Sequence, residues 1–169
     1  MHLPAPGSRY EQQRCVFGMS PYLDGEPVPA LHRLIDVALE HGARVDLHTD
    51  ETLDVGVLTL RDFAKAVGEA GLQGRAAASH CVSLGMQPES VQREVAELCA
   101  ASDVSIITLP QTNLFLQSRE YRTASPRGLT AISTLREAGV NVAGGADNLQ
   151  DPFNTVGRAD PLETAALLV

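Results

Sequence analysis

The residues that could do chemistry fall in a few short stretches. VDLHTDE, residues 45–51, ends an apolar run with His48 and places Asp50 and Glu51 just beyond it. Ser79-His80 closes the small-residue run GRAAASH, and Asn113 and Gln117 follow DVSIITLP. Asp147-Asn148 follow VNVAGG. Neutral imidazoles and carboxylates suit Zn²⁺ or Fe²⁺. A bound cation brings the pKa of water toward neutrality, and a second carboxylate can move protons. Metal-assisted hydrolysis is therefore the chemistry such a set could support. Each stretch also has a plainer reading: a hydrogen-bonded strand-end histidine, a solvated acidic turn, or Asx residues bonding their own backbone. Only joint placement of His48, His80 and Asp147 favours function.

Stepping along the chain, short β-branched runs alternate with helical spacing. Strands are expected at CVFGM, RVDLH, GRAAASH, DVSIITLP and VNVAGGAD, starting near residues 15, 44, 75, 104 and 140. Between them, Leu31, Leu34, Ile35, Ala38 and Leu39 share one helical face, and Gly42 stops that helix. Leu60, Phe63, Ala64 and Val67 repeat the pattern behind Thr59, an expected N-cap. Val91, Val95, Leu98 and Cys99 form a third face, and GLTAISTLREAG a fourth helix. Residues 111–127 read as a long polar loop holding Asn113 and Gln117. Asp160-Pro161-Leu162-Glu163 reads as a helix start. His32 and His41 lie on or after a helix, away from the strand ends.

In parallel α/β folds, ligands gather at the carboxyl ends of strands, and the candidate residues all fall there. Asp46, two positions before His48, should share its face and need a partner from Arg44 or a neighbouring strand. One βα unit of about thirty residues suits both a (β/α)₈ barrel and a doubly wound sheet. No GxGxxG or GxxxxGK[ST] occurs. A closed barrel needs roughly ninety further residues, so the chain is expected to be an open sheet or a piece of a barrel. The final ETAALLV, inside an apparent helix, favours the piece.

The four blocks resemble the C-terminal part of the amidohydrolase superfamily, closest to cytosine deaminase-like enzymes. The matching residues are His48-Thr49-Asp50-Glu51, Ser79-His80, Asn113 to Arg119, and Gly145 to Pro152. The resemblance implies an α/β fold, a partial (β/α)₈ TIM-type barrel covering about units four to eight and lacking the N-terminal strands. Residues 1–14 would be a flexible lead-in and 15–169 the barrel portion. It implies that His48 and Asp147 hold a divalent metal, Zn or Fe. Glu51 would carry protons to a substrate ring nitrogen, and His80 would hydrogen-bond the hydroxide or the tetrahedral intermediate. Asp147 would also take a proton from the metal's water, and Asn148, Asn113 and Gln117 would meet substrate. The implied reaction is hydrolysis of a non-peptide C–N bond in a cyclic amidine or amide, with ammonia release. Two departures stand out. The sequence has no His-x-His, which supplies two ligands in that family, and Asn148 stands where cytosine deaminases carry a second Asp. The chain alone is therefore expected to be inactive. Its alternative role is a non-catalytic half-barrel that pairs with itself or with a complementary N-terminal half, across an uncovered apolar interior.

Composition sets the outer limits. A 44% hydrophobic chain with 4% aromatics and no Trp suits an aliphatic core. The net charge of −8 argues against nucleic acid and anionic membranes as partners. Cys15, Cys81 and Cys99 form no CxxC pair and read as reduced thiols, hence a cytoplasmic location. No apolar run approaches the roughly 18 residues of a membrane span, and the N-terminal residues lack a secretory apolar segment.

Overall fold

All five expected strands form, and they pair in the order of the sequence. The computed structural model describes residues 15–168; the proposed lead-in over residues 1–14 lies outside them. The strands are β1 (Val16–Phe17), β2 (Arg44–Thr49), β3 (Ala76–His80), β4 (Val104–Thr108) and β5 (Val142–Gly144). The helices are α1 (Pro27–Glu40), α2 (Thr59–Ala70), α3 (Val82–Gly85), α4 (Glu89–Ala101), α5 (Pro110–Leu116), α6 (Ile132–Glu137) and α7 (Pro161–Leu167). Every neighbouring strand pair is parallel. The order β1-β2-β3-β4-β5 contains no reversal. A doubly wound sheet reverses at a switch point and covers both faces with helices. Here α1 packs on α2, α2 on α4 and α4 on α6, in one continuous layer. Right-handed crossovers that always step the same way build an arc of a (β/α) barrel. That settles the choice the sequence spacing left open.

Strand alternation divides the sheet into two unlike faces. Val45, Ala76 and Val104 stand in register, as do Leu47, Ala78, Ile106 and Val142. These residues face the helices and join the core with Leu31, Ile35, Leu60, Phe63, Val67, Val95 and Leu135. Burying each large aliphatic or aromatic side chain contributes about 1.5–3 kcal/mol, so cohesion lies on this side. The concave face carries Arg44, Asp46 and His48 beside Ala77, Ser79, Ser105 and Ile107. The expected uncovered apolar interior is reduced on this arc to Val16, which pairs with Arg44 and is 55% exposed, and the half-buried Ile107, beside alanines. Its inner face is mostly small and polar, which suits a face lining a site and not one packed as core.

Local signals set the helix ends. Asp160 caps α7, accepting from the backbone N–H of Leu162 (2.9 Å) and Glu163 (3.3 Å), with Pro161 at the first position. Gly71 ends α2 in the left-handed region, at φ 69°. Two expectations need correction. Thr59 is the first residue of α2, and its cap comes from elsewhere. Asn113 lies on helix α5, not in a loop: Pro110 both ends β4 and opens α5, because proline is tolerated in a first turn.

Among the described residues, no helix is long and apolar enough to cross a membrane. The three cysteines are free, with Cys81 and Cys99 buried and Cys15 exposed.

Candidate functional site

The carboxyl end of β2 turns sharply after Thr49. Asp50 takes a positive φ of 51°, unusual for a residue with a side chain. Its carboxylate is fully buried and accepts from Thr59 N (3.0 Å), Leu60 N (2.9 Å) and the Thr59 hydroxyl. Asp50 thus caps α2 from nine residues upstream and places its negative charge at a helix N-terminus. Burial pushes its carboxyl above the ordinary range, while these donors pull it back. Its own carbonyl receives the N–H of Thr52 (2.8 Å) and of Ser83 (3.2 Å). Sequence reasoning read Asp50 as part of a polar turn; its partner lies too far along the chain for any local cap signal. The effect is to fix the start of the β2–α2 loop, where Glu51 sits.

His80 ends β3 with φ 67°. Strict alternation would place it with Ala76 and Ala78 on the helix face. The left-handed backbone instead brings its ring, 1% exposed, beside His48. The His80 Nε2 lies 3.1 Å from His48 Nδ1 and 3.7 Å from Asp147 Oδ2. Its Nδ1 lies 3.1 Å from Asn113 Oδ1 and 3.5 Å from Glu51 Oε1. His80 is the hub of the site. Burial holds its pKa below the usual histidine value, so the ring is neutral at neutral pH.

Four expected residues therefore converge on His80: His48, Glu51, Asn113 and Asp147. Asp147 also adopts a positive φ, of 62°; such backbone strain collects at sites where the surrounding structure enforces it. Burial, and then the charge on Asp147, raises the Glu51 pKa to about 7. Ligand atoms of His48, Glu51 and His80 all lie within 4.8 Å of one another. The sequence reading paired His48 with Asp147 as ligands, whereas this tighter trio contains Glu51. Two imidazoles beside two crowded carboxylates fit a divalent cation, which would relieve the crowding.

The remaining expected residues lie at the margin. Gln117 donates its Nε2 to the Glu51 carbonyl at 3.4 Å, tying the end of α5 to the β2–α2 loop. Both ends of the Asn148 amide are taken within the chain: Oδ1 accepts from the Thr112 hydroxyl (3.3 Å) and Nδ2 donates to Asp151 (2.6 Å). It holds the loop after Asp147 more directly than it offers itself to a ligand. Any side chain at Gly157 would collide with the Asn148 carbonyl, so this loop folds tightly upon itself. Asp46 finds its partner across the sheet, accepting from the Ser79 hydroxyl at 3.3 Å. Tyr22, in the turn after β1, was missed: burial and the charges of Glu51 and Asp50 push its phenol up to about 12. No motif marks it; only the folded arc brings it near Glu51.

Comparison with known proteins agrees with this geometry. The chain is 42% identical over 146 residues to a pterin deaminase of Rhizobium rhizogenes, covering 86% of this chain and 32% of that protein. The chain spans about a third of the length of the curated relatives it matches. Its fold superimposes on the 5-methylcytosine deaminase of Klebsiella pneumoniae with a TM-score of 0.86 at 27% identity, covering 94% of this chain and 39% of that one. N-isopropylammelide isopropylaminohydrolase of Burkholderia multivorans gives a TM-score of 0.73 at 28% identity, covering 89% and 36%. The sequence profile described as the amidohydrolase family matches residues 8–168. On the strand-end cluster, the singly wound arc and that match together, the chain belongs to the amidohydrolase family.

Proposed function

We propose that this chain carries the part of a hydrolase site that activates water against a C–N bond in a small heterocycle, releasing ammonia. The observation that supports it is the convergence of His48, Glu51 and Asp147 on a buried neutral His80, at the ends of β2, β3 and β5. Similarity to a pterin deaminase makes a pterin-like fused ring the favoured substrate over cytosine.

His48 and Asp147 would hold a divalent cation, which when bound supplies Lewis-acid activation of water near neutral pH. Asp147 takes one proton from the attacking water. Glu51, with a pKa near 7, can give and take a proton at the working pH, protonating the ring nitrogen as the carbon becomes tetrahedral. His80 hydrogen-bonds the attacking hydroxide, whose O–H its Nε2 accepts. As the C–N bond breaks, Asp147 returns its proton to the leaving amine, which departs as ammonia, and the hydroxyl proton passes to Glu51 as the carbonyl forms. Gln117 and Asp50 hold the Glu51 loop in place throughout.

Catalytic zinc sites keep three protein ligands as a rule, and the sequence has no His-x-His to complete this one. The isolated chain is therefore expected to release no ammonia from pterin or cytosine. Replacing the matching third of the Rhizobium deaminase with this chain should restore pterin deamination, and Glu51→Gln in that chimaera should abolish it. A folded chimaera that turns over cytosine faster than pterin would overturn the substrate reading. An E51Q chimaera that keeps full activity would overturn the role of Glu51.

A second reading rests on the sheet edges. The outer sides of β1 and β5 have no strand partner among the described residues, and open edges invite pairing with another chain. We propose a complementary N-terminal half as that partner; analytical ultracentrifugation of this chain alone should then show no closed homo-oligomer.

A further inference from the structure

We infer that Asn113 is a positioning residue that fixes which nitrogen of His80 carries the proton, and through His80 the tautomer of His48. The inference rests on the site reading above. Asn113 sits on the first turn of α5 and is 1% exposed, as is His80. Its Oδ1 lies 3.1 Å from His80 Nδ1. The Glu51 carboxylate oxygen lies 3.5 Å from the same nitrogen. An amide oxygen and an ionised carboxylate oxygen, the form Glu51 takes at alkaline pH, are both acceptors. The nitrogen between them must donate, so the neutral ring of His80 keeps its proton on Nδ1.

Turning the Asn113 amide over would aim a nitrogen lone pair of His80 at the lone pairs of Glu51, which is repulsive.

The consequence passes on to His48. With the His80 proton on Nδ1, its Nε2 offers only a lone pair. That atom is 3.1 Å from His48 Nδ1, closer than the 3.7 Å to Asp147. His48 must then donate from Nδ1, which leaves its Nε2 lone pair free for a cation. A ring N–H held by a carbonyl oxygen is the usual means of orienting an imidazole beside a metal. Here one buried amide orders two imidazoles in series. Asn113 was expected to touch substrate; this assigns its oxygen to His80 instead.

The test is imidazole nitrogen NMR on the metal-free full chain at about pH 8, above the ordinary histidine pKa of about 6.5. Long-range proton–nitrogen correlations identify the protonated nitrogen of each ring, with the five histidines assigned by single substitutions. The expected wild-type result is one tautomer for both His48 and His80, with the proton on Nδ1. Asn113→Leu should move the His80 proton to Nε2 and mix the His48 tautomers. Asn113→Asp, which keeps the acceptor, should retain the proton on Nδ1. A wild-type His80 carrying its proton on Nε2 overturns the inference whatever the variants do. So does an N113L chain with Nδ1–H unchanged, for then Glu51 holds the ring; if Leu is not tolerated, N113S is read in its place. None of these outcomes depends on turnover, so an inactive chain leaves the result intact and a wrong tautomer leaves the hydrolase reading intact.

Discussion

The two faces of the sheet are built from the same strands and obey different rules. On the helix side, Leu47, Ala78, Ile106 and Val142 stand in one register with no polar atom among their side chains. On the concave side, one residue over, stand His48, Ser79, Ile107 and Ala143. The helix face bears the cohesion, and the concave face is left free to carry charge and exposed imidazole. A substitution should therefore read out as stability on one face and as site chemistry on the other.

The sharpest way to break that contrast is Leu47→Ala, on the helix face and fully buried. It should cost about 2–5 kcal/mol, the usual range for a large-to-small core change, measured by urea denaturation. A cost below about 1 kcal/mol would mean that this face is not the cohesive one. Asp50→Ala comes next, because it leaves the Thr59 and Leu60 donors without their acceptor. A lost cap costs about 1–2 kcal/mol, and hydrogen exchange at Thr59 and Leu60 should quicken with it. Unchanged exchange at both amides would remove Asp50 from the capping role.

Glu51→Gln should have the opposite sign. Folding raises the Glu51 pKa from 4.5 to about 7, so the folded state favours the protonated carboxyl. That stability is fully present below pH about 4.5 and is lost as pH rises through about 7. Glutamine does not titrate. In chelator, E51Q should gain on wild type between those limits, by on the order of 1 kcal/mol once water screening is allowed for. A difference that stays flat with pH would show that Glu51 is not held in a crowded, buried setting. The smallest effect belongs to Ser105→Ala on the concave face, within about 0.5 kcal/mol.

The fold was largely legible because the two signals it depends on are local. Ile106 and Ile107 mark a strand wherever they sit, and Leu31, Ile35 and Ala38 mark a helix face by spacing alone. The residues converging on His80 were legible through strand ends and family resemblance together. What stayed hidden was long-range or conformational. The Asp50 clamp joins residues nine apart through a loop with no repeating pattern. Pro110 has two valid meanings, strand end and helix start, and only packing against the site reveals that both apply. The aim of the His80 ring depends on a backbone angle that strand alternation contradicts. Tyr22 joins the site only because β1 lies beside β2.

Asp50, His80, Cys81 and Asp147 all hold the left-handed backbone at the strand ends. Each such residue stores strain of about 1–3 kcal/mol that glycine would release. At Asp50 the lost cap of α2 would offset that release, so a screen for heat resistance alone would tend to favour glycine at Asp147, whose carboxylate serves the site and not the fold. Hardening this chain and keeping its chemistry are opposed objectives there, and the trade-off is written into a single backbone angle.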